Sequence, residues 1–183
     1  DGPTAHAEKI TLAAAADLKF ALDEIATAFK ITSPTAVLQV IYGSSGKFHT
    51  QIQQGAPYDL YFSADIAFVE SLRQAGYAAS EVKPYAIGRI VLWSTAKDAS
   101  QMTLNSLTDP TIIRIAIANP KHAPYGQRAE QALRATGLWA KIESKLVYGE
   151  NIAQTAQFVQ TGNAQVGIIA LALALSPTMA SQG

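Results

Sequence analysis

The spacing of apolar positions changes repeatedly along this chain, and the changes mark out alternating strands and helices. "KITLAAAA" is β-rich and without helical period, whereas Leu18, Leu22, Ile25 and Phe29 follow along one face of a 3.6-residue repeat. Asp17 stands directly before that face, where a helix N-cap is expected. "AVLQVIYG" reads as a second strand, turned by Gly43 to Gly46 into a helix from about Lys47 to Gln54 that Gly55 closes. "YDLYFSA" reads as a third strand, and Asp65 opens a helix ending near Gly76.

"PYAIGRIVLWS" is a long β-rich run, suited to leaving one lobe and entering another. The arrangement then repeats as "IIRIAIANP", the loop "KHAPYG" and a helix through Leu133 that stops at Gly137. "SKLVYGEN", the helix "IAQTAQFVQTG", the strand "AQVGIIA" and a short apolar helix complete the pattern. Alternation of this kind predicts an α/β fold with parallel strands. No linker or composition shift marks a boundary, so division into two lobes rests on the β-rich crossing near residues 85–94.

Of the 183 residues, 49% are apolar, enough to bury the core of one domain or of two small lobes. Fourteen basic residues balance fourteen acidic ones, and no basic run occurs. Nucleic acid and anionic membranes both depend on clustered Lys and Arg, so neither is an expected partner. The chain has no Cys, and His6, His49 and His122 do not stand at metal-ligand spacing, so no metal site on the protein is expected. The longest apolar stretch, Val166 to Leu175, is about half a membrane span and reads as core rather than as an inserted helix. Ala5-His6-Ala7 has the A-x-A form of the tail of an export signal, which leans towards an exported protein.

"YGSSGKF" resembles a phosphate loop, but a nucleotide P-loop needs four residues between its glycines and Ser or Thr after its Lys. Here only Ser44 and Ser45 separate Gly43 from Gly46, and Phe48 follows Lys47. Three other strand-to-helix loops share its design of small and hydroxyl residues: Ala16-Asp17, Ala123 to Gly126 and Gly149 to Ile152. Ligands of open α/β sheets bind at the carboxyl ends of strands, where helix N-termini present unpaired N–H groups and roughly half a unit of positive charge. Several such ends aimed at one point would hold an anion without Arg or Lys, aided by the hydroxyls of Ser44, Ser45 and Tyr125. Each loop is equally explained as an ordinary capped turn. A serine hydrolase is a further alternative, with Ser44 or Ser45 as nucleophile and His49 one turn on, although "GSSG" is not a G-x-S-x-G elbow.

"KITLAAAADLKFALDEIATAF", "YGSSGKFHTQIQQGAPYDLYFSAD", "YAIGRIVLWS" and "IAIANPKHAPYGQRAEQAL" together resemble the periplasmic molybdate-binding proteins of ABC importers, from about Lys9 to the end. The resemblance implies a two-lobed type II periplasmic-binding-protein fold. Each lobe would be a mixed sheet flanked by helices, closing over molybdate or tungstate in the cleft. It implies a receptor rather than an enzyme, with no catalytic residue and no cofactor, that docks on a membrane permease. Sulfate or another tetrahedral oxyanion is the alternative ligand, and a regulator's ligand-sensing domain, which shares the fold, is disfavoured. The lobes would be 8–85 and 86–175, with 176–183 beginning a return crossing.

Transferred position by position, the family's oxyanion ligands fall on Ala16, Asp17, Ser45, Tyr125 and Ile152, with Ser44 and Gly46 beside them. Asp17 is expected to offer its backbone N–H and to turn its carboxylate to the helix cap, away from a dianion. Tyr125 stands in for a Tyr that another branch supplies near Ile169, where this chain has Ala170. Lys47 and Arg128 are expected to be solvated helix positions, and Trp93 and Trp139 packing residues. Discrimination against phosphate is expected from the lack of a protein acceptor for its proton. Family members continue beyond the position of Gly183 and return to the first lobe. The resemblance therefore implies that this segment is missing here, through fragmentation or truncation or with altered packing and closure.

Overall fold

A computed structural model describes residues 8–85 and 88–183 of the chain. Ala5-His6-Ala7, and Ala86 and Ile87 within the expected crossing, lie outside the described residues. β1 (Glu8–Ala15) leads through a 3-10 turn at Ala16–Leu18 into α1 (Lys19–Thr32), followed by β2 (Ala36–Gly43), α2 (Ser45–Gln53), β3 (Leu60–Phe62) and α3 (Ile66–Gln74). The three strands form one sheet in the order β2-β1-β3, both pairings parallel, so among the described residues this sheet is not the mixed one expected. Each parallel step is made through a helix, as parallel geometry requires.

The central strand is buried from Leu12 through Ala15, and Ala16 and Asp17 continue its burial into the turn. α1 is less sunken than its periodicity suggests: none of its residues is fully buried, and Ile25 is 60% exposed. Two helix starts differ from expectation. Leu18, not Asp17, occupies the N-cap of α1, and no side chain caps it, because the 3-10 turn intervenes. Ser44, in extended conformation, caps α2 by accepting the Lys47 N–H, which starts that helix two residues before Lys47. Asp65 caps α3 as predicted, accepting the Ala67 N–H at 2.9 Å.

The second half contains β4 (Ile90–Trp93), β5 (Ile115–Ala118), α4 (Pro124–Ala135), α5 (Trp139–Ile142), β6 (Leu146–Gly149), α6 (Ile152–Gln160), β7 (Val166–Ala170), α7 (Leu171–Ala174) and α8 (Pro177–Ala180). Its sheet is mixed, in the order β4-β7-β5-β6, with β4 antiparallel to β7. β5 and β7 are buried along their whole length, which explains why both read as continuous apolar runs instead of alternating ones. Among its described residues, the β-rich run before residue 94 yields only the four-residue β4. A 3-10 turn at Leu104–Thr108 and the short α5 are too brief to show a period. No helix of the described residues is long and apolar enough to cross a membrane.

Two buried clusters flank the second sheet. Leu107, Ile112, Ile117, Leu133 and Ile142 build one of them. The other gathers Ala118, Ala156, Val159, Ile169 and Met179, and extends across to Ala16 at the end of β1. That extension brings the carboxyl end of the first sheet against the helix N-termini of the second.

Candidate functional site

All four loops singled out in the sequence meet where the two sheets face each other. Ala16 is 2% exposed, Ser45 1%, Ile152 4% and Tyr125 5%, and Ala16, Tyr125 and Ile152 belong to one packed cluster. The 3-10 turn that carries Ala16 and Asp17 packs on α6 and α7. The 43–46 loop touches the chain directly before the 123–126 loop, because the Gly46 N–H donates to the His122 carbonyl at 2.9 Å.

That contact explains the second glycine of "YGSSGKF". A Cβ on Gly46 would lie 2.5 Å from the His122 oxygen and 2.9 Å from its Cα, atoms of the backbone that cannot swing aside. Ser45 begins α2 next to it. Its Oγ accepts the Ala64 N–H at 2.9 Å, and its carbonyl accepts the Tyr61 hydroxyl at 2.6 Å. The hydroxyl proton of Ser45 remains available to donate, as does its backbone N–H, since the first turn of a helix has no intrahelical acceptors.

α4 begins with Pro124, which has no N–H to lose and is preset for the first helical position. Tyr125 follows, with its backbone N–H in that same unpaired turn. α6 is capped by Asn151, which accepts the Gln154 N–H at 2.9 Å and leaves the Ile152 N–H at the helix start. The site is therefore a ring of helix N-termini with hydroxyls among them, an arrangement suited to a small anion.

Asp17 departs from expectation. Its carboxylate does not turn to a helix cap but crosses the interface, where Oδ2 accepts the Tyr125 hydroxyl at 2.8 Å. Asp17 is only 8% exposed, and Oδ1 has no hydrogen-bond partner among the described residues, so the expected lack of a protein acceptor for a phosphate proton does not hold at this turn. Burial raises its pKa above the usual carboxylate value, opposed by the Tyr125 bond, its own backbone and the charge of Arg128. The Tyr125 proton expected to reach the ligand is thus given to Asp17, and the Tyr125 pKa is itself raised, by burial first and then by Asp17.

Lys47 is a solvated helix position as expected, with its side chain 51% exposed, whereas Arg128 is partly buried and departs from that expectation. Lys47 pairs across the cleft with Glu150, beyond β6. Arg128 lies over the Tyr125 ring, 5.3 Å from its centroid, and donates to the carbonyls of Gly88 and Ala64 at 3.3 and 3.4 Å. The Lys47 pair and the Arg128 bonds to Gly88 and Ala64 leave no signal in the sequence, because those partners lie far along the chain. Trp93 is buried and packed, and Trp139 carries Arg134 over its ring at 4.5 Å, consistent with packing roles.

His122 was not singled out in the sequence. It bonds Ser44 Oγ through Nδ1 at 2.7 Å, and its Nε2 faces Glu150 at 3.9 Å. The resulting Ser44–His122–Glu150 line does not make a hydrolase. The His–Glu distance exceeds a hydrogen bond, and Ser44 is the α2 cap. His49 is no base for Ser45 either, since its Nε2 bonds Ser71 Oγ at 3.1 Å and its ring packs on Phe68.

Two sheets flanked by helices, with four strand ends converging between them, define a two-lobed α/β binding protein. The chain belongs to the bacterial extracellular solute-binding protein family, whose pattern matches residues 10–183. It is 38% identical over 168 residues to the molybdate-binding protein ModA of Azotobacter vinelandii, an alignment covering 91% of this chain and 66% of that protein. Against the molybdate-binding protein ModA of Rhodobacter capsulatus, identity is 40% over 130 residues, covering 70% of this chain and 51% of the relative. The structure of the Azotobacter vinelandii periplasmic molybdate-binding protein superimposes with a TM-score of 0.82 at 30% identity, covering 93% of this chain and 74% of that one. The chain thus spans just under two thirds of the length of one of these relatives and about half of the other.

Proposed function

We propose that this chain is an oxyanion receptor that captures molybdate, and tungstate with it, and presents it to the membrane permease of an ABC importer in the periplasm. The observation that carries the reading is the convergence of the helix starts at Ser45, Tyr125 and Ile152 with the Ala16-Asp17 turn in one buried ring. Backbone N–H groups and the Ser45 hydroxyl are donors fixed in place before the anion arrives, so little reorganisation opposes binding. The names of the relatives supply the metal. Residues 8–85 and 86–175 act as the two closing bodies, and the ligand favours the closed arrangement because it joins donors from both.

Isothermal titration of the 183-residue chain with molybdate, tungstate, sulfate and phosphate tests this. Molybdate and tungstate are expected to bind at least about a hundredfold more tightly than sulfate, a gap of roughly 2.7 kcal/mol. A folded sample that takes up neither metal oxyanion would overturn the reading.

A further inference from the structure

We propose that the site takes its oxyanion together with one proton, held between Asp17 Oδ1 and an oxygen of the anion. The inference deepens the receptor reading and rests on it. Its starting point is a carboxyl oxygen, Oδ1, without solvent and without a hydrogen-bond partner among the described residues, on a side chain whose other oxygen is fixed by Tyr125 at 2.8 Å. A buried acceptor left unsatisfied is costly, and most such atoms mark a missing partner. An ionised Asp17 beside a tetrahedral dianion would add like-charge repulsion in a place of low polarity. A proton on Oδ1 removes both difficulties: the carboxyl becomes neutral, and its O–H donates to the anion. No covalent bond is broken; one proton moves from buffer to the site.

The groups around Asp17 do not supply that proton themselves. Tyr125 already donates to Oδ2, and Arg128 spends its guanidinium on the Gly88 and Ala64 carbonyls. Tyr85, whose pKa is pushed up to about 12 by burial and by the charge of Asp17, donates to the Ser63 carbonyl at 2.9 Å. The α6 and α7 segments packed on the turn, "IAQTAQFVQ" and "LALA", contain no titratable residue, and α1 offers Lys19 and Asp23, the latter bonded to Tyr42. His122 and Lys47 stand on the Glu150 side.

The sign follows from linkage. A carboxyl whose pKa is higher in the bound state than in the free one takes up a proton on binding, so affinity grows as pH falls from the bound-state pKa to the free-state pKa and is level outside that window. The expectation for molybdate, at a pH inside that window, is an observed enthalpy that differs between two buffers of unlike ionisation heat by the equivalent of up to one proton, and an affinity that falls by up to about tenfold per pH unit as pH rises across it. Asp17→Asn supplies a neutral donor in the same place. It is expected to bind molybdate with no buffer dependence and a flat profile, and more tightly than the parent at about pH 8.

Buffer-independent heat in a parent that binds molybdate overturns this proposal and leaves the receptor standing. Proton uptake that persists unchanged in Asp17→Asn overturns the assignment to Asp17. Absence of any molybdate or tungstate binding by the folded parent overturns both. The parent measurement decides the question even if Asp17→Asn does not fold.

Discussion

On one flank of the cleft an acid meets a phenol out of reach of water; on the other an acid meets a lysine with about half of each side chain exposed. Asp17 and Tyr125 join the two halves with both residues under a tenth exposed. Lys47 and Glu150 join them with side chains 51% and 56% exposed. Opposite charges attract weakly in water, so the outer pair guides approach more than it holds. The inner pair lies where an unbalanced charge is expensive and a hydrogen bond is strong, and there the acid's pKa rises instead of falling. Glu150 moves the other way, lowered by its bond to Lys47. On the receptor reading proposed above, burial more than the identity of the partner would set which flank senses the ligand and which only steers.

Between the flanks the halves meet backbone to backbone at Gly46 and His122, and breaking that meeting should outweigh any side-chain change. Gly46→Val places a branched side chain where even a Cβ has no room. Titration should find molybdate affinity at least about a hundredfold lower, roughly 2.7 kcal/mol. The unliganded Tm should move by only about 2–4 °C, as expected for a change near 1 kcal/mol in a chain of this size. Affinity within about threefold of the parent would mean that the two loops need not touch for the anion to be held.

The inner flank is next. Tyr125→Phe removes the one hydrogen bond seen on Asp17 and leaves both carboxyl oxygens unpartnered among the described residues. Loss of a hydrogen bond to a charged group, about 1.5–3 kcal/mol, corresponds to roughly ten- to hundredfold in molybdate affinity. The same variant should move the pH dependence to higher pH without steepening it, because the bond that opposes the raised Asp17 pKa is gone. An unchanged affinity with an unchanged pH profile would show the pair to be packing alone.

How far the chain could be read in advance follows the same division. The strands, the parallel pairing of all but β4, and the helices α2, α4 and α6 carry local signals, such as the Pro124 start, the Gly137 stop at φ 72° and the Asn151 cap. The positions of Ala16, Ser45, Tyr125 and Ile152 follow from those helix starts and from the resemblance to a family. What the sequence hides is where side chains go once distant loops meet. Asp17 looks like a cap because caps are local and frequent, yet its partner lies 108 residues away. Arg128 looks solvated for the same reason, the Lys47 pair with Glu150 is hidden likewise, and His122 sits in a loop whose sequence says nothing of Ser44. The periodicity of α1 overstates its burial, since Ile25 belongs to the stripe and faces outward.

The outer flank should respond least, and its response has a distinctive form. Lys47→Ala deletes the Glu150 partner but leaves the Ser44 cap and the Gly46 contact intact, because both use backbone atoms of the loop. Molybdate affinity at low ionic strength should fall about two- to threefold, the range for an exposed pair, and most of the loss should lie in the association rate. Raising salt to about 0.5 M should bring parent and variant together, since screening removes what the mutation removes. The Asp17 proton should survive both treatments, because salt does not enter a dry interface. A Lys47→Ala loss as large as that of Tyr125→Phe, or one that persists in salt, would place the outer pair within the binding site and end the distinction between the flanks.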